Sequence, residues 1–211
     1  MIPVSARVIV IDFETTGISP EQGARATEVA AVMISDGKIG DRYQSLMNAG
    51  VPIPPFIEAL TGISNRMIRQ APSAASVMRE LADFIGVTPL VAHNAAFDKK
   101  FLQAELSRIG QESQKEMHCS MRLARRVYPD APNHKLATLV RHARLARTGA
   151  YHRALADAEM TAGLWLKMQD ELGRRFDLES IPLDLLRKIQ NTACKDLPRC
   201  VETYRRSCKT V

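Results

Sequence analysis

An α/β fold is what this sequence predicts, and three observations predict it. Short β-branched apolar runs, such as Val8–Ile11 and Leu90–Ala92, end abruptly in polar residues. Two further strand-like runs follow the first in direct succession. Stretches with apolar residues at helical spacing fill most of the rest. With 211 residues and 45% hydrophobic content, the chain has material for one sizeable core.

The first element is Arg7-Val8-Ile9-Val10-Ile11-Asp12-Phe13-Glu14-Thr15-Thr16-Gly17. The apolar run reads as a buried strand leading straight into Asp12. Strand side chains alternate faces, so Asp12 and Glu14 point the same way. Two like charges at one strand end repel unless a cation or a proton compensates. Thr15-Thr16-Gly17 then turns the chain. Ala26–Ile34 and Tyr43–Met47 read as two more strands, joined by a turn at Asp36-Gly37-Lys38, which extend the sheet antiparallel beside the first. Pro52, Pro54 and Pro55 mark a loop. Leu60-Thr61-Gly62-Ile63-Ser64 contains a helix end closed by Gly62. Ser73 starts a helix that runs to Ile85.

The second acidic context is Pro89-Leu90-Val91-Ala92-His93-Asn94-Ala95-Ala96-Phe97-Asp98. Here a short strand breaks into small residues before a helix. Phe97, Phe101, Leu102, Leu106 and Ile109 fall on its apolar stripe, and Gly110 stops it. Asp98 lies in the first turn, where a carboxylate also complements the helix dipole. His93 reads as a structural histidine or a substrate contact. Cys119–Val127 and Lys135–Leu145 read as two shorter helices.

The third context is Tyr151-His152-Arg153-Ala154-Leu155-Ala156-Asp157-Ala158-Glu159-Met160-Thr161. Periodicity through Trp165 and Met168 gives a helix of about five turns. Asp157 projects from its N-terminal half, and His152 stands just before its start. Taken singly, each context has a plain alternative: a solvated strand end, a dipole-complementing aspartate, a surface histidine. Together, four carboxylates at strand ends and helix faces are what a magnesium-dependent phosphodiesterase needs. Hard cations take oxygen ligands, and two of them can steady the attacking and leaving oxygens of a phosphoryl displacement.

Asp12-Phe13-Glu14-Thr15-Thr16-Gly17, Asn94-Ala95-Ala96-Phe97-Asp98, and His152 with Asp157 five residues on resemble the DEDDh (DnaQ-like) 3′–5′ exonuclease family. The proofreading subunit of bacterial replicative polymerase and ribonuclease T are similar members. The resemblance runs from about Val8 to about Leu172. It implies a ribonuclease H-like α/β fold, a five-stranded mixed sheet flanked by helices. It also implies two metal ions per active site, Mg2+ or Mn2+. Asp12, Glu14 and Asp157 would hold the metals, with Asp12 bridging, and Asp98 would hold the second in part through water. His152 would be the general base, since an imidazole can accept a proton at neutral pH. Phe13, Thr15, Leu60, Thr61 and Ile63 would contact the terminal nucleotide.

The resemblance divides the chain into an exonuclease domain, residues 1–175, and a basic helical extension, 176–211. The expected substrate is the 3′ end of single-stranded or frayed DNA. The alternatives are an RNA 3′ end trimmed by the same metals, because discrimination lies at the 2′-hydroxyl, or nucleic-acid binding without catalysis. A DNA polymerase or a second copy of the chain is the candidate protein partner. The net charge of +6, with cations gathered at Lys99-Lys100, Arg122–Arg147 and Arg199–Lys209, suits a polyanion. No apolar run approaches a membrane span and no leader pattern is present, so the expectation is a cytoplasmic protein with no membrane contact. Cys119, Cys194, Cys200 and Cys208 show no CxxC pairing and read as reduced thiols. The tail's apolar residues, Ile181 to Ile189, leave three uses open: packing on the domain, binding a partner, or holding nucleic acid.

Overall fold

A computed structural model of the chain describes residues 7–112, 115–146, 149 and 152–209. Tyr151 of the third context, Arg147 of the basic stretch and both chain ends lie outside the described residues. Three strands open the fold: β1 (Val8–Thr15), β2 (Ala26–Ser35) and β3 (Lys38–Leu46). Three helices follow, α1 (Pro55–Thr61), α2 (Asn65–Gln70) and α3 (Ala74–Ile85). Then come β4 (Leu90–Ala92), α4 (Ala96–Ser107), β5 (Met117–Cys119), α5 (Ser120–Val127) and α6 (Leu136–His142). The long α7 (Ala154–Phe176), α8 (Leu183–Asn191) and α9 (Leu197–Lys209) complete the chain.

The sheet order is β3-β2-β1-β4-β5. β1 pairs antiparallel with β2 and parallel with β4; β2–β3 is antiparallel and β4–β5 parallel. This is the five-stranded mixed sheet flanked by helices. Alternation along β1 splits the core in two. Val8 and Val10 face a cluster built on Trp165, Met168 and Leu172 of α7, with Leu123 of α5. Ile9, Ile11 and Phe13 face α3 and α4 through Val77, Leu81, Phe101 and Leu102. Asp12 and Glu14 continue the series of Val8 and Val10, so period-two alternation aims them at the α7 side.

Several elements differ from the sequence reading. β3 begins at Lys38, not Tyr43, because Asp36 and Gly37 both take positive φ (52° and 71°) and let pairing start at Ser35↔Lys38. Such a two-residue turn matches strand twist. The polar start of β3 hides it from a hydrophobicity reading, since it is a largely exposed edge. Pro55 opens α1 at a position where its missing N–H costs nothing. α7 has 23 residues, more than the expected five turns, because its periodicity continues past Met168 to a buried Leu172. The short β5 was not placed from sequence.

The tail packs back on the domain. Leu185, Leu186, Ile189, Leu197 and Val201 join the same core cluster as Trp165. Gln190, buried in α8, accepts a 2.9 Å hydrogen bond from the backbone N–H of Cys119. That contact covers the outer edge of β5, whose N–H would otherwise be orphaned. Among the described residues no helix is long and apolar enough to cross a membrane.

Candidate active site

β1 carries Asp12 and Glu14 to its C-terminal end, both half-buried. Parallel β4 delivers the chain to the same end, where Asn94 adopts φ 69° and reverses it into α4. Asn tolerates that left-handed geometry better than most residues. Asp98 then sits in the first turn of α4 and is 2% exposed. Its Oδ1 accepts a 3.2 Å hydrogen bond from the backbone N–H of Phe13, locking it between the two β1 carboxylates' own residues.

Asp157 comes from the first turn of α7, across the sheet face that Asp12 and Glu14 share. Its Oδ2 accepts a 2.9 Å bond from the His152 N–H. Its Oδ1 is buried and has no protein partner among the described residues. Glu14, His152 and Asp157 each offer a ligand atom, and these atoms lie within 4.8 Å of one another. His152 itself is exposed and holds φ 63°.

The electrostatics follow from this crowding. Burial, then repulsion from Asp98, Asp157, Glu14 and Glu28, pushes the Asp12 carboxyl well above the usual carboxylate range. Burial, then Asp157 and Glu28, raises Glu14 to about 8, against the pull of Arg153. Asp98 rises to about 7 through burial, opposed by its backbone hydrogen bonds. Burial also raises Asp157. Such a group holds protons or cations; left bare and ionised, it repels itself. A donor set dominated by carboxylates, with one buried Asp157 oxygen unpartnered among the described residues, fits a hard divalent cation.

All five expected catalytic residues therefore converge. The expected nucleotide contacts do not behave alike. Leu60 is 52% exposed on α1, one turn after the exposed Phe56. Phe13 and Ile63 are spent in packing, the first against α3 and α4, the second with Ile53 and Ile68. Thr61 is buried, donating to the Ile57 carbonyl and accepting from the Ile63 N–H. Thr15 is buried and donates to the Gly17 carbonyl at 2.6 Å. His93 is structural: its ring nitrogens engage Ser120 Oγ and the His134 carbonyl, and burial lowers its pKa to about 4.

Sequence reasoning missed Glu28. It lies opposite Glu14 in the β1–β2 register and is fully buried. Its carboxylate accepts from Arg153, the Ala154 N–H and Gln44. The signal was there: Glu28 is the one charged residue in the apolar run Ala26–Ile34.

The fold and this constellation define an exonuclease domain. The family model described as "Exonuclease" matches residues 9–165, and the chain belongs to that family. It is 35% identical over 199 residues to the 3′-5′ exonuclease DinG of Bacillus subtilis (strain 168), covering 94% of this chain and 21% of that protein. It is 31% identical over 171 residues to the DNA polymerase III subunit epsilon of Aquifex aeolicus (strain VF5), covering 81% of this chain and 84% of the subunit. Among solved structures, exonuclease X in complex with 5′ overhanging duplex DNA superposes with a TM-score of 0.66 at 29% identity, covering 79% of this chain and 93% of that one. The chain thus spans about a fifth of DinG but most of the epsilon subunit and of exonuclease X.

Proposed function

We propose that this chain is a metal-dependent 3′–5′ exonuclease that removes nucleotides from the 3′ ends of single-stranded or frayed DNA. The observation that carries this reading is the crowding of Asp12, Glu14, Asp98 and Asp157, from three separated stretches, close enough to raise one another's pKa values, with one Asp157 oxygen buried and unpartnered among the described residues. Asp12, Glu14 and Asp157, with Asp98, would hold two divalent cations, Mg2+ or Mn2+. When bound, the cations supply charge stabilisation for the attacking and leaving oxygens of the phosphodiester.

The protein's own groups do the rest. His152, exposed beside Glu14 and Asp157, takes the proton of the attacking water. The Asp157 carboxylate orients the His152 backbone through its N–H. Leu60 offers an apolar surface to the terminal nucleotide, and the short, buried Thr15 and Thr61 shape the backbone beside it. Phe13 and Ile63 act from behind, as the packed floor that fixes β1 and the end of α1. DNA is preferred as substrate because the relatives are named for DNA polymerase III and for a DNA complex. The epsilon relative, a polymerase subunit by name, likewise supports a DNA polymerase as the protein partner.

The test is incubation with matched 3′-labelled and 5′-labelled DNA and RNA oligomers, with Mg2+, with Mn2+ and with excess EDTA. Stepwise shortening from the 3′ end of DNA, abolished by EDTA, is the expected result. Cleavage that survives EDTA, or cuts inside a circular single strand, refutes it. Faster shortening of RNA than of DNA reassigns the substrate.

A further inference from the structure

The loop that carries His152 has an unusual construction. His152 holds a left-handed backbone, φ 63°, which is uncommon for a non-glycine residue and is sustained by its surroundings. Two ties sustain it. On one side the His152 N–H bonds Asp157 Oδ2 at 2.9 Å. On the other, Glu28 grips the next two residues. Its Oε1 accepts from Arg153 Nη2 at 3.0 Å, and its Oε2 from Arg153 Nε at 3.2 Å and from the Ala154 N–H at 3.1 Å.

Arg153 is the N-cap residue of α7 and makes no capping hydrogen bond with its own side chain. The first N–H groups of a helix need acceptors, and a carboxylate there is favoured by the helix dipole. Glu28 supplies that carboxylate from another strand. The Glu28 side chain is fully buried, while that of Arg153 remains 38% exposed. Gln44 Nε2 donates at 2.7 Å to Glu28 Oε1, the oxygen that also takes Arg153 Nη2, so the carboxylate is held from β3 as well.

We infer that Glu28 is a positioning residue for catalysis, which clamps Arg153 and the start of α7 so that the left-handed turn at His152 presents its imidazole to the attacking water. This rests on the reading of His152 as general base. Glu28 does not touch the reacting atoms; it acts through Arg153 and Ala154. Relaxing the clamp leaves the carboxylate cluster in place but lets the turn revert to easier backbone geometry, carrying the ring out of reach. A misplacement of about 1 Å costs on the order of 100-fold in rate.

The experiment uses the full chain with Glu28→Gln, which keeps the shape and an acceptor for Ala154 but removes the charge that holds Arg153. Arg153→Met releases the clamp from the exposed side, so it reports even if the buried substitution unfolds the protein. Each is expected to lower kcat about 10- to 100-fold, as loss of orienting partners does. Affinity for a DNA oligomer in Ca2+ should stay within about twofold. The decisive readout is the double variant His152→Ala/Glu28→Gln. If Glu28 works through His152, the double variant is no slower than His152→Ala alone. Multiplying losses, or a kcat within twofold of wild type for both single clamp variants, overturns the inference while leaving the proposed activity intact. A His152→Ala protein with wild-type kcat overturns the general-base reading and this inference with it.

Discussion

Replacing Glu14 with Gln should stabilise the metal-free protein by an amount that grows from acid to alkaline pH. The Glu14 carboxyl moves from an ordinary 4.5 to about 8, chiefly through burial and then through Asp157 and Glu28. A folded protein with a raised carboxyl pKa takes up a proton on folding. The favourable contribution of the protonated form is therefore complete below 4.5 and is lost as pH rises through about 8. If Glu14 titrated alone, the penalty above pH 8 would be about 5 kcal/mol, at 1.36 kcal/mol per pKa unit. It does not titrate alone: Asp12, Asp98 and Asp157 share the protons, and the half-exposed side of Glu14 is screened by water. About 2 kcal/mol is a reasonable working value. For a chain of this size that corresponds to a rise of roughly 4–8 °C in Tm. The assay is thermal unfolding of wild type and Glu14→Gln in EDTA at pH 5 and pH 9, then at pH 9 with Mg2+. The gain should be present at pH 9, nearly absent at pH 5, and erased by Mg2+, which stabilises only a native site that still has its charges. Equal melting temperatures at pH 9 in EDTA, or the same gain at both pH values, would refute the reasoning.

Other substitutions separate roles. His152→Ala should lose about 10²–10⁴-fold in kcat, with DNA affinity in Ca2+ retained; loss of that affinity would move His152 from proton transfer to binding. Asp157→Ala should cost several orders of magnitude in rate with melting behaviour preserved in EDTA, and a loss below about tenfold would remove Asp157 from the metal set. Leu60→Ala should raise KM without changing Tm, because the side chain is half exposed, whereas Phe13→Ala should cost about 3–5 kcal/mol of stability as a core deletion. The two measured side by side test whether Phe13 is floor or contact. Gln190→Ala should lower stability by about 1–3 kcal/mol, since it strands the Cys119 N–H under α8. An unchanged Tm would mean the tail can lift away.

Local patterning made several parts of this protein legible before any fold was known. Alternation along β1 set Asp12 and Glu14 on one face, and the same alternation in the structure turns them toward α7. The stripe from Phe97 to Ile109 and the stop at Gly110 placed Asp98 in a first helical turn, where it is found. The helix after His152 was legible because its apolar period is long and unbroken. The remaining features depend on partners far away in the chain, which folding alone brings together. Thr61 and Ile63 sit in a segment that reads either as a nucleotide contact or as an ordinary helix end; in the fold Ile63 packs with Ile53 and Ile68, and Thr61 is buried with its hydroxyl bonded to Ile57 and Ile63. β5 is three residues long, too short to carry a period, and exists because β4 pairs with it and Gln190 seals it. Glu28 could be seen as an odd charge in an apolar strand, but its meaning required residues more than a hundred positions away. Its carboxylate is tolerable in the core only because Arg153 and the first N–H of α7 arrive there, and that meeting is made by the folded sheet.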